Sequence, residues 1–445
     1  FPPMTWPPAL PVLTLLVWTP AVGALISAFP GEARTSLRRS LSLSFAAFTL
    51  ALASFLALSF EGGTSVRELA RWVPSLGLSY DLVLDPFGSV LGLWIALLPF
   101  LALASDGFRG LGRRATFLTL LAETALLGVT IAGDAVLLLG FYGVGLLSLT
   151  LLLGQVEEMK KFFFFQSVGA ALAAVYVGVS YHLSWVQTGF PSAEVGRFPS
   201  LVSFPDFQIR MLLLGAAVMA FAAPLFPLTS WVSSSVSALT TPGRILLLGG
   251  WSLAGSLFFV RAVLPSSPGS AGATGLTVLA ALSVLYAGLA PRRTFRTGAP
   301  LLVGFQGLVV LGLLSPTAEG VAAGRAGMLH LGLALSAIAL WNANAEEARG
   351  PTLVGGFTAF LMLCPFWVVI REEWSVSPLL AALAGLGTIS MAIRLTRTLP
   401  PLSRRRRLLL LPLVVGIWAL LLAAPARFVP ASSTAPAAEE EEGEE

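Results

Sequence analysis

Charge is what this 445-residue chain lacks most: 11% of its residues are charged while 56% are apolar. A soluble domain carries about 25% charged residues. The deficit excludes an ordinary water-soluble enzyme. Lysine occurs only as Lys160 and Lys161, histidine only as His182 and His330, and cysteine only as Cys364. A lone cysteine inside an apolar run cannot form an intrachain disulfide and carries no information on redox compartment. Two histidines and one cysteine cannot supply a zinc or iron–sulfur ligand set, and no haem-ligating histidine pair falls on facing segments. No glycine loop is followed by the lysine that cradles a nucleotide phosphate. No cofactor is therefore expected, and the chain has no means of holding a redox centre.

What the chain does have is long apolar runs. Mean hydropathy is +0.84, and fourteen stretches approach the roughly 20 residues that span a bilayer. They read as residues 9–30, 40–60, 87–104, 115–133, 135–154, 162–185, 208–229, 243–262, 272–290, 299–315, 325–342, 352–371, 376–395 and 406–425. The expected fold is an all-α polytopic membrane protein over residues 1–425, followed by an acidic disordered tail at 426–445. The first run has no positive residue before it and is long enough to remain as a span. Little chain is left for a soluble catalytic domain. Two loops on one side stand out: residues 61–86, whose alternation suits a small hairpin, and the polar stretch 186–207. The 44 glycines fit close helix packing.

Orientation follows from the basic residues. With the 31–39 loop in the cytoplasm and each span reversing direction, nineteen of the 27 Lys and Arg fall inside. Arg67, Arg71, Arg197, Arg210, Arg261, Arg325, Arg371 and Arg427 fall outside. Basic residues concentrate on the cytoplasmic side of membrane proteins, so both termini are expected on the other side. The net charge of +4 reflects that bias and is not a signal for nucleic acid.

Ionisable or helix-breaking residues at membrane depth are where function should be sought. Pro224 and Pro227 interrupt the seventh span in FAAPLFPLTSW, and Pro365 interrupts the twelfth in FLMLCPFWVVIREEW. Proline removes a backbone donor and crowds the preceding turn, so both helices should be broken or kinked. Such breaks are tolerated where the loose backbone is buried in protein or lines a cavity, though proline is also simply common in membrane helices. Glu123 sits mid-span in FLTLLAETALLGV and needs a partner, water or a proton. Asp134 ends that span as an interfacial cap. Glu372 and Glu373 follow Arg371 at the end of the twelfth span, where interfacial pairing is the plainer alternative. Lys160 and Lys161 open the sixth span, where they suit a topological anchor as well as a polar path. His330 lies among apolar neighbours and can titrate near neutral pH or be satisfied structurally. His182 is placed at the outer end of the sixth span. The proton-path candidates are thus Glu373, His330, Lys160, Lys161 and Glu123, with no catalytic or metal site.

In these segments the chain resembles the antiporter-like subunits of respiratory complex I and the related Mrp-type cation/proton antiporters. The likeness is greatest to the medium-length, NuoM-type complex I subunit and covers roughly residues 75–400. VLDPFGSVLGLWIALLPFLALAS resembles the family's opening of the third span, and KKFFFFQSVGAALAAV its sixth. MAFAAPLFPLTSWV is similar to its broken seventh helix, with Pro224, Pro227, Leu228 and Trp231 in register and Arg261 matching downstream. RTFRTGAPLLVGFQG places Arg296 on a family arginine. CPFWVVIREEW places Glu373 on the functional glutamate.

The resemblance implies an antiporter-like fold of fourteen spans with broken seventh and twelfth helices. It also implies other antiporter-like and quinone-module subunits as partners. Its proton path implies a Glu on the fifth span, a Lys in the seventh and another on the eighth, where this chain has Gly143, Ala222 and Leu253. The histidine expected after the tenth span begins is Phe305. Glu–Lys pairs hold each other's protonation state, so losing them leaves a half-channel without a titratable relay. The expected function is a membrane-arm subunit of a complex I-like assembly, ancestrally proton-translocating but degenerate and partly structural. The alternative is the membrane component of an Mrp-type antiporter or of a bicarbonate-uptake two-component system.

Overall fold

The computed structural model describes residues 11–31, 34–59, 65–104, 112–201, 204–266, 274–295, 297–342 and 366–398. Its helices are α1 (Val12–Ala28), α2 (Thr35–Ser59), α3 (Pro86–Ala104), α4 (Arg113–Ile131), α5 (Ala135–Leu153) and α6 (Val156–Thr188). They continue with α7 (Pro205–Ala222), α8 (Ser230–Ala238), α9 (Thr241–Gly249), α10 (Ala254–Phe258), α11 (Thr274–Leu289) and α12 (Arg292–Phe295). The last four are α13 (Ala299–Leu313), α14 (Ala318–Asn342), α15 (Trp367–Val376) and α16 (Pro378–Thr398). Between α2 and α3 lie two strands, β1 (Val66–Val73) and β2 (Leu78–Leu84).

Eight helical stretches are long and apolar enough to cross a membrane, and four more apolar helices of 10–17 residues accompany them. Together they correspond to twelve of the fourteen spans read from the sequence. Most of the twelfth, with Pro365 and Cys364, lies outside the described residues, as do the fourteenth and the acidic tail.

Local chemistry sets several boundaries. Asp134 caps α5, its carboxylate accepting from the amides of Val136 and Leu137. Gly189, at φ 74°, ends α6 in the left-handed conformation that costs glycine little. The loop at 61–86 does form an antiparallel hairpin, pairing Arg67 with Val83 and Ala70 with Tyr80. Its strand β1 reaches back to α1, where the Glu68 carboxylate accepts from the Leu13 and Thr14 amides at 2.7 and 2.9 Å. The hairpin thereby caps the first span.

Burial separates an inner group of spans from an outer one. The stretch Thr241–Ser266 is almost wholly buried, whereas α2 and α6 bury about a third of theirs. Every residue of α13 is buried. Around this axis α11 packs on α13 and α16, α4 on α1 and α5, and α6 on α7. The buried centre carries few charges, because an unpaired charge there would be far costlier than another Leu.

Candidate functional site

The seventh span breaks where its prolines predict. The α-helix ends at Ala222, residues 223–229 run through turns, and α8 resumes at Ser230. The Phe226–Pro227 peptide is cis. A break at membrane depth exposes backbone groups that must be satisfied from elsewhere, and side chains from two other helices supply them. Ser283 Oγ on α11 accepts from the Phe226 amide at 2.9 Å. Gln166 on α6 donates from Nε2 to the carbonyls of Phe221 and Ala222 at 3.5 and 3.4 Å.

Gln166 does more than close the break. Its Oε1 accepts from the Tyr142 hydroxyl of α5 at 2.8 Å and from the Trp251 indole N–H at 3.0 Å. Tyr142 and Trp251 also pack ring to ring, 4.7 Å between centroids. Four helical segments therefore converge on one fully buried, neutral amide. Beside it, Ala222 is enclosed by glycines. A Cβ on Gly255 would sit 2.9 Å from that of Ala222, and one on Gly169 would sit 3.3 Å from the Ala222 amide nitrogen. The void left among Leu138, Tyr142, Gly169, Val218, Ala222 and Phe258 is about 10 Å³. That is at the bottom of the roughly 10–15 Å³ needed to hold one water.

The eighth span is also irregular, which the sequence reading did not anticipate. It extends over 241–266 rather than 243–262, and its regular hydrogen bonding is interrupted by a 3₁₀ turn at Trp251–Leu253 and a π turn at Phe259–Val263. Leu253 is fully buried in that first interruption.

In the C-terminal half, Phe305 on α13 stacks on Phe366 at 5.4 Å between ring centroids. The His330 ring of α14 meets both edge-on, at 6.4 and 5.6 Å. Next to Phe305 in sequence, Gln306 donates to the Ser256 hydroxyl of α10. Glu373 on α15 is buried, with Oε1 lacking any hydrogen-bond partner among the described residues. Its neighbours Arg371 and Glu372 pair with each other at 2.7 Å, and Arg371 also holds Glu319 at 2.7 Å. Interfacial pairing thus accounts for Arg371 and Glu372, but not for Glu373.

The five candidates lie on four helices. Glu123 is fully buried on α4 with both carboxylate oxygens unpartnered among the described residues. Lys160 is exposed and pairs with Glu157 at 2.9 Å, and Lys161 is exposed beside it. His330 and Glu373 lie on α14 and α15. Among the described residues, no direct hydrogen bond or ion pair is seen between Glu123, Lys160, Lys161 and Glu373. Gln166, Tyr142, Trp251 and Ser283 were missed by a search for charge, because all are neutral. The available signal was positional: Phe162, Gln166, Gly169, Ala173 and Tyr176 repeat at helical spacing, with one amide in an apolar, buried stripe.

At the hairpin end of the bundle, polar groups are paired through the hairpin. Arg67 bridges Asp81 at 2.8 Å and Glu194 at 2.7 Å. The Asp81 hydrogen bond, ahead of the Glu194 one, raises the Arg67 pKa further above its ordinary value despite some burial. Burial pushes the Asp134 carboxyl upward, opposed by its backbone donors Ser79, Leu137 and Val136.

No protein-family model matches the chain. Among curated proteins it is 24% identical over 379 residues to F(420)H(2) dehydrogenase subunit M of Methanosarcina mazei, covering 78% of this chain and 73% of that one. It is 25% identical over 345 residues to an NAD(P)H-quinone oxidoreductase chain 4 of Trichormus variabilis, covering 74% of this chain and 63% of the relative's length. In fold it resembles a chain of respiratory complex I from Thermus thermophilus with a TM-score of 0.78 at 22% identity, covering 94% of this chain and 97% of that one. A chain of the Mrp complex from Dietzia also gives 0.78, at 18% identity, with 94% of this chain covering 51% of that one. The fold is that of an antiporter-like membrane subunit. In sequence the chain is similar, at 22–25% identity, to chain 4 subunits of quinone oxidoreductases.

Proposed function

We propose that the chain is a membrane-arm, antiporter-like subunit of a multi-subunit energy-converting oxidoreductase, and that it serves there mainly as a scaffold with weak or absent proton translocation. Its relatives bear the names of quinone oxidoreductase and F(420)H(2) dehydrogenase subunits, which supports the first part. The observation that carries the second is the neutral hub at the broken seventh helix. Moving a proton through that point needs either a titratable side chain or a chain of waters. The hub offers an amide, a phenol and an indole around a void of about 10 Å³. Neither tyrosine nor glutamine ionises near neutral pH. Tight packing at Gly255 and Gly169 excludes a water file.

The partners on this reading are other antiporter-like subunits and a quinone module, with the chain embedded in a bacterial plasma membrane. The arginine bias supports placing the hairpin and both termini on the non-cytoplasmic side. Two measurements test the proposal. A tagged chain extracted in mild detergent should bring down quinone-reductase or hydrogenase subunits. In membranes containing the complex, Glu373→Gln should leave the number of protons moved per electron unchanged, with assembly intact. A reduced ratio from that variant would show that Glu373 still pumps, and would sink the scaffold reading. Recovery with a single non-redox partner would instead favour a transporter role of the Mrp type, which has support from the fold alone.

A further inference from the structure

On the outer face, basic residues run against the positive-inside bias and need a local reason to be there. Most of those described have one or are solvent-exposed. Arg67, Arg197 and Arg371 each hold a carboxylate at 2.7–2.8 Å. Arg71 and Arg210 are exposed. Arg261 and Arg325 are different. Arg261 projects from the π turn of the eighth span, its side chain 13% exposed, and reaches Asp85 only at 3.6 Å and the Ala132 carbonyl at 3.4 Å. The Asp85 oxygen it approaches is already engaged by the Gly88 amide at 2.6 Å. Arg325, on α14, makes no hydrogen bond among the described residues. Its guanidinium lies over the Phe87 ring, 5.6 Å from the centroid, and its Nε is buried without a partner. Arg261 Nη2 in turn lies 3.1 Å from where a Cβ on Gly88, the residue after Phe87, would sit.

Two guanidinium groups and one carboxylate thus converge at the first turn of α3, leaving one positive charge in excess. Each guanidinium carries five N–H donors in a fixed plane, and one half-exposed carboxylate, already bonded elsewhere, cannot occupy both. Buried donors without acceptors are costly, and a cation facing a like charge adds to that cost. An oxyanion resolves both. Planar forks match paired oxygens, whereas a spherical halide engages only one donor pair at a time. A π turn within an α-helix is a frequent mark of a functional position.

We propose that Arg261 and Arg325 form a phosphate-type oxyanion site at the outer end of α3, entered past Asp85. Its ligand is a phosphate group, carried either by a lipid headgroup or as free inorganic phosphate. The site stands independently of whether the chain moves protons. The test uses the full chain purified in mild detergent, with Arg325→Gln as the variant, since Arg325 breaks no hydrogen bond on removal. Phospholipid retention is read by native mass spectrometry after washing. Thermal unfolding is followed against added inorganic phosphate, with chloride at matched ionic strength as control. A lipid source predicts phosphatidylglycerol retained by the wild type and bound about tenfold more weakly by the variant, from loss of a charge-assisted fork. A free-anion source predicts that phosphate, not chloride, raises the wild-type unfolding temperature and fails to do so in R325Q. Equal lipid retention together with no phosphate-specific shift would overturn the proposal. If R325Q does not fold, Asp85→Asn decides. It keeps an acceptor for the Gly88 amide while removing the competing charge, so phosphate or phosphatidylglycerol should bind more tightly; unchanged binding overturns the site.

Discussion

A polar side chain in an apolar interior costs free energy unless it finds partners, and this protein meets that cost in two ways. Gln166 is fully partnered, with its amide spent on Tyr142, Trp251 and the two carbonyls at the helix break. Glu123 has no hydrogen-bond partner among the described residues. The difference predicts opposite mutational behaviour. Gln166→Leu keeps approximate volume but strands the Tyr142 hydroxyl and the Trp251 N–H, each at about 1–3 kcal/mol. Its unfolding temperature in detergent should fall clearly. A wild-type melting curve for Q166L would show that the hub is not what secures the break. Glu123 strands nothing when its charge is removed, so no comparable loss attaches to that position. A sequence scan for charge finds the lone carboxylate and passes over the network. Only their surroundings show which is partnered.

At the scale of elements, the helices rely on neighbours for the groups their own backbones leave open. The α1 N-terminus has no capping side chain of its own and uses Glu68 from β1. The same carboxylate accepts from the Thr14 hydroxyl at 2.8 Å. Glu68→Ala should therefore free the Leu13 and Thr14 amides at the cost of a lost cap, about 0.5–2 kcal/mol. Hydrogen exchange would detect this as faster exchange at those two amides while α4 stays protected. Unchanged protection at Leu13 and Thr14 would mean that the hairpin merely lies beside α1. The seventh span follows the same logic in reverse: Pro224 and Pro227 open the helix, and Gln166 and Ser283 close the account of its loose ends.

At the scale of the molecule, an antiporter-like fold is packed around a broken seventh span whose buried contacts are neutral. Position 222 offers a direct probe. Ala222 is enclosed by Gly169 and Gly255, with about 10 Å³ of free space beside it. Ala222→Lys would insert a long side chain and a cation into that packing. Overpacking alone costs about 1–3 kcal/mol, and the uncompensated charge adds more. The variant should lose assembly or thermal stability instead of gaining proton movement. If A222K assembled normally and raised the proton yield of the complex, the centre would be an idle channel rather than a sealed core.

The apolar runs, the proline pair and the arginine distribution belong to the sequence. They are local properties, since span length, helix breaking and charge bias depend only on residue type and spacing. The apolar runs predicted the described spans and the prolines the break after Ala222, while alternation along 61–86 predicted the hairpin. Which polar residues work together depended on the tertiary structure. Gln166, Tyr142 and Trp251 are neutral and distant in sequence, and only packing α5, α6 and the eighth span around the broken seventh makes them one network. The irregular eighth span was less legible: no proline lies in its turn at 251–253, and the π turn at 259–263 ends two residues before Pro265, a signal the sequence reading passed over. Arg261 and Arg325 read as stray charges on the wrong side of the membrane. They come together at the start of α3, Arg261 beside Asp85 and Arg325 over Phe87, because two distant helices are brought there, and a relation of that kind is written in space, not along the chain.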